Sequence, residues 1–142
     1  GAAHGIIDEE RASWLEHVLD EEPDRPTLIV MHQPPFDSGI PFMDPYSCHN
    51  GARMAGIVAR YPKVERIVCG HMHRAMQIRF GGTMLCTAPS TTTTFALLLD
   101  PGATDTTYLE PGALLLHQWK PDTGLITHHV MIGDYPGPFP FA

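Results

Sequence analysis

The chain has 142 residues, 43% of them hydrophobic and 18% charged, enough for one folded unit with a modest core and too apolar for wholesale disorder. With 16 acidic against 9 basic residues its net charge is -7, and without a Lys/Arg cluster it is not expected to bind a nucleic-acid polymer, although a small phosphorylated ligand held through a metal ion stays open. No apolar run approaches the roughly 20 residues of a membrane-spanning helix, and Gly1-Ala2-Ala3-His4-Gly5 lacks the basic-then-apolar order of a secretory signal.

In chain order, residues 7–22 read as a helix. Asp8 is placed to cap it, Glu9 and Glu10 suit its positive end, and Trp14, Leu15, Val18 and Leu19 make one apolar face. Pro23 and Pro26 stop it. Residues 27–31, Thr-Leu-Ile-Val-Met, form the short continuous apolar run of a strand buried on both faces. Residues 32–50 are a long loop rich in Pro, Gly and Asp, and loops of that length inside compact domains are often functional. A second helix over 52–61 turns Met54, Ile57, Val58 and Tyr61 inward, and 64–69 is a second buried strand closed by Gly70. Strand–helix–strand order with apolar strands argues for α/β layers.

Beyond Gly70 the pattern changes to hairpins: 75–80 with 83–87 around Gly81-Gly82, a strand over 95–99, then 113–119 with 125–132 around Pro121-Asp122-Thr123-Gly124. The tail from 133 to 142 is too rich in proline for a helix or a central strand. Cys48, Cys69 and Cys86 are odd in number and form no C-x-x-C pair, the usage of free or buried thiols in a reducing, cytoplasmic compartment.

Two segments carry the chemistry: His32-Gln33-Pro34-Pro35 and Gly70-His71-Met72-His73, each just past an apolar strand. In open α/β sheets, sites gather outside the carboxyl ends of the strands, so both segments are expected at one edge. Imidazole is a borderline ligand suited to Zn, Fe, Mn and Co. In an extended segment residues i and i+2 point the same way, so His71 and His73 can face one cavity. Gly70 leaves room for close backbone approach, and the two prolines stiffen the exit from His32.

These motifs resemble the late motifs of the calcineurin-like metallophosphoesterase superfamily, a strand followed by H-x-P and a strand followed by G-H-x-H. Within it the chain is similar to the bacterial branch of cyclic-nucleotide and glycerophosphodiester phosphodiesterases, with the short spacing between the motifs and the closing GDYPGPFPF pointing the same way. The resemblance implies an α/β fold in which 1–142 is the C-terminal part of a single domain, the second half of a β-sandwich flanked by helices and ending in antiparallel hairpins. It implies two metal ions (Mn, Fe, Zn or Co) in the complete enzyme, with His32 and His71 on one and His73 on the other, and hydrolysis of a small phosphodiester. The family's early motifs, D-x-H, then G-D, then G-N-H followed by an acid, are absent here. The chain is therefore expected to supply half the metal site, to carry no catalytic residue of its own and to be inactive alone. The alternatives are a phosphomonoesterase of the same superfamily and a non-catalytic interaction domain with relic histidines.

Secondary candidates have two readings each. His49, in the long loop, either contacts the substrate or is an exposed loop residue; Ser90, in Pro89-Ser90-Thr91-Thr92, either lines the substrate pocket or sits in a polar turn. Arg74 is a phosphate contact or an ion-paired surface residue. His128 and His129 point to opposite faces of their strand, His117 is structural beside Trp119, and His4 and His17 are surface residues. The exposed sheet edge and apolar face of a half-domain, with Phe80, Phe95, residues 114–116, Phe139 and Phe141, are expected to drive homo-oligomerisation.

Overall fold

The computed structural model describes residues 3–141 and builds a mixed four-stranded sheet between two helices and a β-hairpin. The chain begins with β1 (Gly5–Ile6) and enters α1 (Glu9–Glu21), where the Asp8 carboxylate accepts the Arg11 amide at 2.9 Å and so satisfies one free N–H of the first turn. After β2 (Thr27–Met31) the long loop holds a 3-10 turn at Asp44–Tyr46 and β3 (Cys48–His49), which pairs in parallel with β1. Helix α2 (Gly51–Val58) follows at once from Asn50, itself left-handed at φ 62°. A Cβ at Gly51 would overlap the carbonyl oxygen of Pro35, so only glycine lets this helix close against the loop that leaves His32. The remaining elements are β4 (Val64–Cys69), β5 (Met76–Phe80), β6 (Thr83–Thr87), β7 (Thr94–Phe95), β8 (Thr107–Tyr108), β9 (Ala113–Lys120) and β10 (Gly124–Met131).

The sheet order is β2-β4-β6-β5, with β2, β4 and β6 parallel and β5 antiparallel to β6. Its register sorts side chains into rows. Ile29, Ile67 and Leu85 lie abreast on the face covered by Ala12, Leu15 and Leu19 of α1 and by Met54, Ile57 and Val58 of α2. Ile67 and Leu85 are fully buried there, each contributing about 1.5–3 kcal/mol. Leu28, Arg66 and Met84 lie abreast on the other face, where Arg66 donates to the Thr127 hydroxyl and to the Leu125 carbonyl of β10, tying the β9–β10 hairpin to the sheet.

The α/β class and both hairpins agree with the sequence reading; several details differ. Trp14 is 63% exposed, because the stripe that meets α2 and the sheet is Ala12, Leu15 and Leu19, and Trp14 sits off its flank. Strand β2 is covered on one face only: it stands at the end of the sheet, and Val30 is 72% exposed. Phe80, expected at the surface, is buried in the main core, and of the 95–99 strand only Phe95 is in a strand, together with Thr94 in the short β7. Among the described residues no helix is long and apolar enough to cross a membrane.

Candidate metal and phosphoester site

Parallel pairing of β2 with β4 sets Met31 beside Cys69, so His32 and Gly70 leave the same edge of the sheet. The Gly70 amide donates to the His32 carbonyl at 2.9 Å, extending the ladder by one step past the strands. A Cβ on Gly70 would lie 3.4 Å from His32 Nδ1, which shows how closely the backbone passes that ring. The rings of His32 and His71 meet edge to face, with centroids 5.1 Å apart.

The segment after Gly70 is a turn rather than an extension of β4. His71 and His73 both take left-handed backbone conformations, at φ 67° and φ 49°, while Met72 between them is completely buried against Ile40 and Met43. Two non-glycine residues in that region within three positions are uncommon and cost energy, and such strain gathers at functional sites. The extended segment expected from the sequence is therefore not formed, and Met72 anchors the turn that replaces it.

His71 is half-buried and its Nε2 is enclosed without a hydrogen-bond partner. Burial first, then the neighbouring His32 and His73, push its pKa down, so the ring is neutral with a free lone pair at neutral pH. His73 Nδ1 lies 2.9 Å from the Thr93 carbonyl. A carbonyl only accepts, so Nδ1 carries the proton and Nε2 keeps its lone pair, the arrangement that orients metal-binding imidazoles. The His73 ring also rests on Phe95, centroid to centroid 4.9 Å. Cys69, although beside the motif, is no ligand in waiting: burial, reinforced by Cys86 and Cys48, pushes its thiol up to about 12.

The donors that are present suit a metal ion in kind: three imidazoles, one with an orphaned buried nitrogen. They are an incomplete set. Among the described residues no group of three or more His, Cys, Asp or Glu side chains is arranged to hold an ion. The structure brings His32 and His71 together, with His73 next to them but turned towards Thr93 and Phe95.

A cavity of about 280 Å³ opens beside His73, with Arg74, Ser90, Glu110 and His129 among its walls. Ser90 lines this cavity, and its hydroxyl oxygen also accepts the Thr92 amide in a local turn. His49 is exposed, stacks on His4 with centroids 4.0 Å apart, and is not part of that cavity wall. Arg74 pairs with no carboxylate among the described residues; its Nε and Nη2 donate to the Phe95 carbonyl at 3.1 and 2.6 Å. His117 bonds the Thr127 hydroxyl within the hairpin at 2.9 Å, a structural placement. Sequence reasoning missed Thr93, which acts through its backbone carbonyl, and Glu110, which no local motif marks.

Comparison with known proteins gives the chain its relatives. It is 36% identical over 142 residues to a probable glycerophosphodiester phosphodiesterase GpdQ of Arcobacter nitrofigilis, covering 99% of this chain and 52% of that protein. It is 37% identical over 91 residues to the glycerophosphodiester phosphodiesterase GpdQ of Enterobacter lignolyticus, covering 64% of this chain and 33% of the relative. A 33% identical match over 95 residues, 67% of this chain and 34% of the relative, is to the 3',5'-cyclic adenosine monophosphate phosphodiesterase CpdA of Escherichia coli K12. The chain spans about half the length of the Arcobacter relative and a third of the other two. No family model matches it.

Proposed function

From the premise that this chain belongs to the metallophosphoesterase family, we propose that the protein containing it hydrolyses small phosphodiesters, of the glycerophosphodiester or cyclic-nucleotide type, with two bound metal ions of the Mn, Fe, Zn or Co kind. The relatives support the substrate class by what their names say they act on. The observation that carries the metal reading is the His32–His71 pair, at the carboxyl edge of two parallel strands, with a buried Nε2 that has no partner. An orphaned buried nitrogen costs about 1–3 kcal/mol, and coordination would remove that cost.

His32 and His71 would hold one ion, and His73, with its Nδ1 proton committed to Thr93, would offer Nε2 to the other. When bound, such ions supply Lewis acidity towards the phosphate oxygens and towards water. The chain's own residues orient: Met72 fixes the turn, Thr93 fixes the tautomer of His73, and Ser90 has a hydroxyl to offer a substrate oxygen. His49 would reach the substrate only if the loop carrying it swings its ring off His4.

Imidazoles alone do not make a stable two-metal centre. Paired dications need anionic ligands to offset their repulsion, and catalytic zinc sites have three protein ligands besides water. We therefore expect the 142-residue chain alone to bind ions weakly and turn over little, with the missing ligands supplied by further sequence. The test assays the chain and a longer protein containing it, with excess Mn, Zn, Co or Fe, on bis(p-nitrophenyl) phosphate and a cyclic nucleotide, counting bound ions by calorimetry. The longer protein should show metal-dependent turnover that falls by orders of magnitude in His71→Ala. Unchanged metal content and rate in that variant would refute the site. Two ions and full turnover in the chain alone would refute the half-site account.

A further inference from the structure

Beside His73 lies the cavity of about 280 Å³, just under the roughly 300 Å³ at which small-molecule sites usually begin and far too small for a macromolecular partner. Its wall mixes opposite hydrogen-bonding characters. Glu110 contributes an acceptor-only carboxylate, Ser90 a hydroxyl whose oxygen already accepts the Thr92 amide, and Arg74 a guanidinium held by its two bonds to the Phe95 carbonyl. His129 and the apolar Met131 also line it.

Glu110 and Arg74 line one cavity, yet neither takes part in an ion pair among the described residues. The guanidinium is drawn to a backbone carbonyl and leaves the carboxylate free to receive a donor from the cavity. With one guanidinium and one carboxylate on the same wall, an anionic arm would meet Glu110 as a like charge and a cationic arm would meet Arg74 as one. A group that both donates and accepts, and is uncharged, meets every polar atom of the wall: a hydroxyl.

We infer that this cavity is the subsite for one alcohol arm of the phosphodiester, that the arm is a neutral polyol such as a glyceryl or ribosyl group, and that Glu110 accepts its hydroxyl. The inference rests on the phosphodiesterase reading above and deepens it. A site built to bond a hydroxyl discriminates strongly against an analogue without one, because its polar groups are then left unpaired.

The experiment uses a longer protein containing this chain and compares three chromogenic diesters, methyl, glyceryl and choline p-nitrophenyl phosphate, in wild type and Glu110→Gln. The glyceryl-to-methyl ratio of kcat/KM should fall by about three- to tenfold in the variant, mainly through KM, because the amide oxygen that replaces the carboxylate still accepts the hydroxyl but without its charge. A ratio that does not move overturns the inference. A fall confined to the choline ester also overturns it, since the carboxylate would then be a cation site. A second readout needs no turnover: calorimetric binding of glycerol 3-phosphate, weaker by a similar factor in Glu110→Gln. Wild type that hydrolyses none of the esters would refute the phosphodiesterase reading. In that event, glycerol 3-phosphate binding weakened by the variant would still support a polyol subsite, and binding that is absent or unaltered would overturn it.

Discussion

Met72 is the side chain on which the geometry of the candidate site turns, and its removal makes a quantitative test. It is completely buried against Ile40 and Met43, with Phe42, Met76 and Phe95 packed around them, between two histidines in left-handed backbone. Met72→Ala deletes three heavy atoms from a closed cluster, a change that costs about 2–5 kcal/mol. Because this cluster is small and borne by loops, a value near 2–3 kcal/mol is expected. Holding two histidines left-handed costs on the order of 1–2 kcal/mol each. The strain and the anchor are therefore of similar size, and without Met72 the turn should relax locally as well as weaken the fold. Urea unfolding measures the global part, and hydrogen exchange at residues 71–74 the local part. If the turn is competent only a fraction of the time, apparent metal affinity falls by that fraction, so calorimetry with Mn or Zn on a longer protein should show a loss of about tenfold. Met72→Leu, which conserves volume, should cost under about 1.5 kcal/mol and keep metal affinity. Stability within about 0.5 kcal/mol of wild type in Met72→Ala, or protection and metal affinity left intact, would refute the anchoring argument.

Two further outcomes follow from other parts of the fold. Burial first and Arg66 second lower the pKa of His117, so the folded chain takes up this proton less readily than the unfolded one; stability is present above the ordinary histidine value of 6.5 and is lost as pH falls from there towards the folded pKa. His117→Gln should flatten the decline in urea midpoint between about pH 6.5 and 5, and an unaltered slope would show that His117 is not its source. Val30, 72% exposed on the end strand, should accept lysine within about 0.5 kcal/mol while sedimentation shows less self-association; wild type that stays monomeric at high concentration would remove the premise.

The strands were legible because apolar runs bounded by Pro and Gly have few other uses, and 64–69 emerges with the expected ends. The meeting of His32 and His71 was legible for a related reason: residues that follow parallel neighbours in one sheet must leave by the same edge. What could not be read was held by tertiary contacts without a local code. Nothing in Gly-His-Met-His announces two left-handed histidines; that conformation exists because Met72 is drawn to Ile40 and Met43, some thirty residues earlier in the chain. The tautomer of His73 depends on the carbonyl of Thr93, and any residue at that position would present the same group. Trp14 misled because a helix with more apolar residues than its neighbours can cover does not say which stripe they will take.

Strand β2 is the most informative disagreement. Its unbroken run of Leu28, Ile29, Val30 and Met31 is the composition of a strand covered on both faces, yet in this chain Leu28 and Val30 stand exposed at the end of the sheet. The same residues form an apolar groove with Val68 of β4 and Leu114 of β9, open beyond the reach of the hairpin. An apolar run is patterned for the environment in which the strand ends up, and an exposed Val beside an unpaired edge matches no solvent-facing environment that β2 has here. A sheet that continues past β2 resolves the conflict without altering any observed contact. It would pair the free edge, cover Val30, and bring further side chains to the end of the sheet where His32 leaves.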